Sequence, residues 1–248
     1  MAADCALRDR KRLFSIAPVA LFAACLLSPA EAAGAFSPPA ALRVVTDDNY
    51  PPYLFRGDHG ELEGIVKDKW SLWSRATGVP VEVQGVDWSE AQDLVRVGAA
   101  EVIEALTWRK ERTRDYEFSP GYTTIEARVY FHQSISGIND VASMRGFSVG
   151  AKEGSACGAW LKERGIDTIR WFANSEGLVK AAGSGIVRLF CMDSTVAQFF
   201  LFKHNLAEEF RQSAPLYSAQ SHWAVRKGRV ELRDFIQQGF DRIGADQI

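Results

Sequence analysis

From Leu42 onward the chain alternates short apolar runs with amphipathic stretches. LRVVT (42–46) is a continuous apolar run of strand length, the pattern of a buried strand. DDNYPPYLF is a loop broken by prolines, and RGDHGEL reads as a hairpin tip. GIVKDKWSLWSRATG sets Val66, Trp70 and Trp73 at i, i+4 and i+7, one face of a helix that Gly78 stops. VPVEVQG then predicts a strand. WSEAQDLVRVG predicts a helix, with Ser89 as N-cap and Ala91, Leu94 and Val95 on one face. AEVIEAL is the next strand and leads into LTWRKERTRDYEFSPGY (106–122).

Beyond that stretch TTIEARVYFHQS alternates well enough to predict a long strand, and then the rhythm restarts. It runs helix INDVASM, strand GFSVGA with Ser148 inside it, a helix from about Ser155 to Arg164, and strand TIRWFA. Helix SEGLVKAAGSG, strand IVRLFCM and helix STVAQFFLFKHN follow, and a strand-like APLYSAQSHWAVRKG and a helix LRDFIQQGFDRI close the chain. Two successive βα series separated by a long extended crossover predict an α/β fold of two lobes. No fixed-period repeat interrupts this order.

The first 33 residues depart from the pattern and predict a secretory signal peptide. Arg8, Arg10, Lys11 and Arg12 form a basic start, LFSIAPVALFAACLL an apolar centre, and SPAEAAGA offers small residues for cleavage after Ala32 or Ala33. The apolar centre, broken by Pro18, is shorter than the ~20 residues a membrane span needs. Export to the periplasm is therefore the expectation, with acylation at Cys25 a poorer fit because of Phe22. Cleavage would leave Cys157 and Cys191, which could pair in an oxidising compartment or remain buried free thiols. A formal net charge of -2 with no basic stripe argues against a nucleic-acid partner.

Several segments carry candidate chemistry. GFSVG (146–150) matches the nucleophile-elbow pattern, but its serine lies in a strand rather than at the turn after one, and neither His204 nor His222 has the context of a base. The four histidines are scattered singly, and nothing in the chain has the spacing of a metal site or a phosphate loop, so no cofactor is expected. GSACGAW (154–160) opens a helix after a strand, where Ser155 could cap it or its N–H groups could receive an anion approaching over Gly154. Asp193 stands between a strand and a helix, either as an N-cap or as a carboxylate at the strand mouth where open α/β sheets meet ligands. Tyr50, Tyr53 and Trp88 also follow strand ends and could wall a pocket or fill the core. The seven charges between Arg109 and Glu117, taken by themselves, read as solvated surface.

LRVVTDDNYPPYLF, GVDWSEAQDLVRVGAAEVIEALT, an arginine six residues before FSPGY, RGFSVGAKEGSA and VRLFCMDS together resemble the periplasmic solute-binding proteins of family 3, over roughly 41–243. Within them, FSPGY, FCMDSTVAQFFLFK and PLYSAQSHWAVRKG resemble sensor domains fused to diguanylate cyclases and other signalling modules. The resemblance implies the type II Venus-flytrap fold, with lobe 1 at 41–124 plus 224–248, lobe 2 at 125–223, two crossing strands and a ligand cleft between the lobes. It implies that Arg112 grips a ligand carboxylate through its planar guanidinium, with Thr107 assisting. Gly154 and Ser155 then form an anion site on lobe 2, Asp193 holds an ammonium group, and Tyr50 covers the ligand side chain. Ala156 stands where these receptors commonly have Ser or Thr, and WRKE replaces a frequent TPE, bringing the bulk of Trp108 near the cleft.

The expected function is non-catalytic: a small polar solute, an amino acid or related carboxylate, is captured between the lobes. The closed form is then read by a membrane permease or a signalling module across the membrane. The protein is expected to be a monomer unless it belongs to a dimeric sensor. Family members usually carry one more short helix after the position of FDRIGADQI, which suggests a truncated sensor as much as a freestanding receptor. The alternative is an enzyme of the cyclohexadienyl dehydratase kind on the same fold, with Glu153 as its acid or base.

Overall fold

The computed structural model describes residues 36–244, so the signal-peptide expectation and Cys25 lie outside the described residues. The chain opens with β1 (Leu42–Asp47), a small three-stranded meander of β2 (Asn49–Tyr50), β3 (Leu54–Arg56) and β4 (Leu62–Glu63), and helix α1 (Ile65–Thr77). Then come β5 (Val81–Val86), α2 (Trp88–Val97), β6 (Val102–Thr107), β7 (Tyr116–Phe118) and the ten-residue β8 (Thr123–His132). The second series is β9 (Val149–Lys152), α3 (Ala156–Glu163), β10 (Ile169–Phe172), α4 (Ser175–Gly183), β11 (Leu189–Asp193) and α5 (Ser194–Lys203). Short β12 (Phe210–Gln212), ten-residue β13 (Tyr217–Arg226) and α6 (Val230–Asp241) complete it.

The sheet runs β10-β9-β11-β8-β13-β6-β1-β5. It holds two parallel triads, β5-β1-β6 and β10-β9-β11, back to back across two antiparallel strands. Each long strand divides its hydrogen bonds between the halves. Thr123–Ala127 of β8 pair with β13, and Ala127–Phe131 pair with β11; Ser221–Val225 of β13 reach β6. These are the two crossover strands of a two-lobed α/β fold.

In the first lobe, period-2 alternation sends Leu42 and Val44 to one face and Val45 to the other. Trp70 and Trp73 of α1, both fully buried, pack with Trp223 and Phe240 on the first face, while Ala91 and Val95 of α2 cover the second. Truncating a buried tryptophan such as these costs about 3–5 kcal/mol, so this α1 face anchors the lobe. Gly78 ends α1 in the left-handed conformation (φ 75°), donating its N–H back to Ser74. The second lobe is built the same way, with Leu178, Val179, Phe190 and Phe200 on one face and Val149, Leu161 and Leu189 on the other.

Three local expectations are corrected. INDVASM forms only a three-residue 3-10 turn, Ala142–Met144. There the Ser143 hydroxyl accepts the N–H groups of Asn139 and Asp140, and Asp140 accepts that of Ser143, so local side-chain bonds compete with a helix. α2 starts two residues earlier than Ser89 as N-cap allows, with Asp87 at the N-cap position and no capping side chain; the indole of the first helical residue, Trp88, donates to the Gly154 carbonyl. Ser148 precedes β9 rather than lying within it. Cys157 and Cys191 are joined in a disulfide with their Cα atoms 6.0 Å apart, tying α3 to β11.

FSPGY (118–122) is tied to β13 by hydrogen bonds. Ser119 is buried, its hydroxyl accepts the Trp223 N–H at 3.1 Å, and its carbonyl lies 2.8 Å from His222 Nδ1. His222 is thus engaged by the backbone beside the crossover strands.

Candidate functional site

The parallel triads point the C-terminal ends of β1, β6, β9 and β11 at one another, and a cleft with about 50 Å³ of free space lies between them. Asp47, Thr107, Lys152 and Asp193, the last residues of those four strands, all line it. Strand ends collect ligand groups in open α/β sheets because the side chains there are held rigidly while the loops beyond diverge.

Arg112 enters from a 3-10 turn, Lys110–Arg114, just past β6. Its Nη1 donates to the Thr107 carbonyl at 2.8 Å and its Nη2 to the Gly154 carbonyl at 3.1 Å. The guanidinium lies 5.8 Å from the Trp88 ring. Among the described residues no carboxylate pairs with it, and burial pushes its pKa down to about 10, helped by the nearby charge of Arg109. A half-buried cation satisfied only by carbonyl oxygens has unused capacity for an anion.

Asp193 occupies the N-cap position of α5, yet its side chain makes no capping bond and instead accepts the hydroxyl of Tyr50 across the cleft. Burial raises its pKa, against the pull of the Tyr50 hydrogen bond and the charges of Lys152 and Arg112. Tyr50 is itself buried and stacks on Tyr53 with ring centroids 5.1 Å apart; burial and then Asp193 hold its phenol well above the ordinary value. Ser155 caps α3, its hydroxyl accepting the Gly158 N–H at 3.1 Å, and still lines the cleft. Ala156 and the Cys157–Cys191 disulfide form the wall beside it. Opposite, Ala105 adopts a left-handed backbone (φ 57°) next to an irregularity in the β6–β13 pairing.

The two halves of the sheet are closed on one another. The Trp88 indole N–H donates to the Gly154 carbonyl at 3.0 Å, and Asn49 accepts the Glu176 N–H at 2.7 Å. Phe55 and Phe199 pack with centroids 5.5 Å apart. Arg109 pairs with Glu163 and reaches the Ala156 carbonyl, so this residue, expected to be solvated surface, is a contact between the halves. Gly154 (φ 66°) takes its close approach from within the protein: a Cβ there would come within 2.8 Å of Gln92 and 3.4 Å of Trp88. Trp108, expected near the ligand, is 50% exposed and lies outside the cleft lining.

Of the expected residues, Tyr50, Trp88, Thr107, Arg112, Ser155 and Asp193 come together around one space. Asp47 and Lys152, which sequence reasoning passed over, pair with each other inside it. Their place at strand ends was the available signal. Glu153, next to Lys152, is exposed and lines a separate groove with Ser89 and Asp93. Among the described residues no group of three or more His, Cys, Asp and Glu could hold a metal ion, and no helix is long and apolar enough to cross a membrane.

Two α/β lobes closing over a polar cleft through paired crossover strands define a periplasmic-binding-protein-like architecture. Solved structures agree: an ancestral arginine-binding protein bound to arginine superposes with a TM-score of 0.76 at 24% identity, over 84% of this chain and 93% of that one. A histidine kinase sensor domain similar to periplasmic binding proteins gives 0.76 at 19%, over 81% and 89%. The model of the bacterial extracellular solute-binding proteins, family 3, matches residues 42–248, and the chain belongs to that family. The L-cystine-binding protein TcyJ of Escherichia coli strain K12 is 25% identical over 198 residues, 77% of this chain and 73% of that protein.

Proposed function

We propose that the protein captures an amino acid or a closely related small carboxylate between its lobes, outside the cytoplasm. The observation that carries this reading is the opposed pair in the cleft: among the described residues Arg112 has no carboxylate partner, and the Asp193 carboxylate accepts a hydrogen bond from the Tyr50 hydroxyl. A zwitterion meets both, its carboxylate on the guanidinium and its ammonium on the carboxylate. Ser155 and the first N–H groups of α3 add donors on the carboxylate side. Trp88 and Tyr50 cover the rest.

The solute bridges the two sheet halves and so binds the closed state better than the open one, which is the only way a ligand can drive closure. A permease or a transmembrane signalling module would read that closure. The lobes are assigned to 41–124 plus 224–248 and to 125–223, with both boundaries at the crossover strands. A relative named for L-cystine supports the amino acid class. The acid or base expected of a dehydratase, Glu153, is exposed and lines another groove, which removes that residue from the rival reading.

A thermal-shift screen of amino acids, organic acids and polyamines tests the reading. A solute at a hundred times its Kd stabilises by about 2.7 kcal/mol if it does not bind the unfolded chain. A polyamine hit with no amino acid or carboxylate hit would refute it, as would measurable turnover of a prephenate-like substrate.

A further inference from the structure

The Asp47–Lys152 pair crosses the cleft from the end of β1 to the end of β9. Both side chains are sequestered, at 2% and 8% exposure, although both line the space a solute would enter. The Lys152 ammonium also lies 5.3 Å from the centre of the Tyr50 ring and 5.7 Å from that of Trp88. An ammonium that meets a carboxylate and lies near two aromatic rings has the surroundings that also recognise a ligand cation. In this chain that place is filled by a tethered lysine.

We propose that Lys152 acts as a built-in cation that occupies the Asp47 subsite, so that the cleft selects amino acids with uncharged side chains and rejects arginine and lysine. This rests on the amino acid reading of the cleft and narrows it. The charge inventory of the lining is two cations and two carboxylates, Arg112 and Lys152 against Asp47 and Asp193. Asp47 and Lys152 cancel internally, leaving one charge of each sign for the two ends of a zwitterion. A cationic side chain arriving beside Lys152 meets a like charge in a water-poor space and finds Asp47 already engaged. An anionic side chain finds Lys152 engaged and meets Asp47. Likeness of fold to arginine-bound proteins therefore does not carry their side-chain preference to this cleft.

The test is calorimetric titration of the purified protein with L-glutamine, L-arginine and L-glutamate, which have side chains of related length and different charge. Wild type is expected to bind glutamine at least about tenfold tighter than either charged probe, since juxtaposed like charges cost that much or more. Lys152→Met frees Asp47, and the arginine-to-glutamine preference is expected to reverse. Asp47→Asn frees Lys152, and glutamate is expected to overtake glutamine. The two variants are independent, so one that fails to fold leaves the other arm and the wild-type ratio standing. Wild type binding arginine as tightly as glutamine would overturn the proposal, and so would a folded Lys152→Met with an unchanged preference. Wild type binding none of the three probes, nor any other amino acid, would instead remove the amino acid reading and this proposal with it.

Discussion

Replacing Arg112 separates what the residue does for folding from what it does for a solute. In the closed protein two of its five N–H donors go to the carbonyls of Thr107 and Gly154, leaving three. Two parallel charge-assisted bonds to a carboxylate at roughly 1.5–3 kcal/mol each amount to about 3–6 kcal/mol of affinity. Arg112→Ala should therefore raise the Kd of a bound amino acid by roughly two to four orders of magnitude. Arg112→Lys keeps the charge but not the fork and should lose about half of that free energy. The effect on the unliganded fold is different. Burial that brings the guanidinium down to about 10 carries a desolvation cost. That cost is on the order of 3 kcal/mol at most, less for a half-buried group, and it offsets the two bonds to carbonyls. The urea-denaturation free energy of Arg112→Ala should accordingly lie within about 1–2 kcal/mol of wild type. Titration calorimetry with a solute identified by the screen, paired with urea melts, checks both halves. Affinity within threefold of wild type in a folded Arg112→Ala would refute the reasoning.

On the proposed reading, Asp193 is expected to set the pH dependence of solute binding. An ammonium pairs only with the ionised carboxylate, so amino acid affinity should be full above its raised pKa and fall about tenfold per pH unit below it. The loss should therefore begin at higher pH than for a surface aspartate. In the unliganded protein the sign is opposite, with stability falling as pH rises from the unfolded value of this group to its folded one. Asp193→Asn should weaken binding at neutral pH and flatten the profile, as calorimetry across mildly acidic pH would record. Glu104, fully buried on β6, accepts the Trp70 indole N–H and pairs with Lys69 at 2.9 Å. Burial depresses the Lys69 pKa while Glu104 raises it, so Glu104→Ala leaves a buried charge uncompensated and should cost about 3–5 kcal/mol in urea melts. The disulfide closes a loop of 34 residues, and on the loop-entropy model its removal by Cys157→Ala with Cys191→Ala should cost about 3–4 kcal/mol. Equal melting temperatures for the reduced and oxidised protein would contradict that.

Most of the fold was legible because it is carried by local periodicity. The i, i+4, i+7 spacing of Val66, Trp70 and Trp73 sits on a helix ending at Gly78, and the apolar run at 42–46 is a strand buried between helices. INDVASM has helical composition, but Ser143 and Asp140 divert its backbone bonds, a competition that periodicity does not register. In the cleft, Arg112 stood out through family resemblance, and Asp193 through that and its place at a strand end. Asp47 and Lys152 were missed because their meaning is pairwise, and 105 residues separate them. Arg109 was missed for the same reason, since its partner Glu163 lies 54 residues away on the other half of the sheet. A charge that crosses an interface looks the same in one dimension as a charge that faces water.

The function of the cleft turns on where a solute sits. A crystal structure grown with an amino acid that stabilises the protein should show its carboxylate on the Arg112 guanidinium and its ammonium on Asp193, with both halves of the sheet in contact with it. A solute bound outside this cleft, or one inside it that touches neither Arg112 nor Asp193, would contradict the central claim.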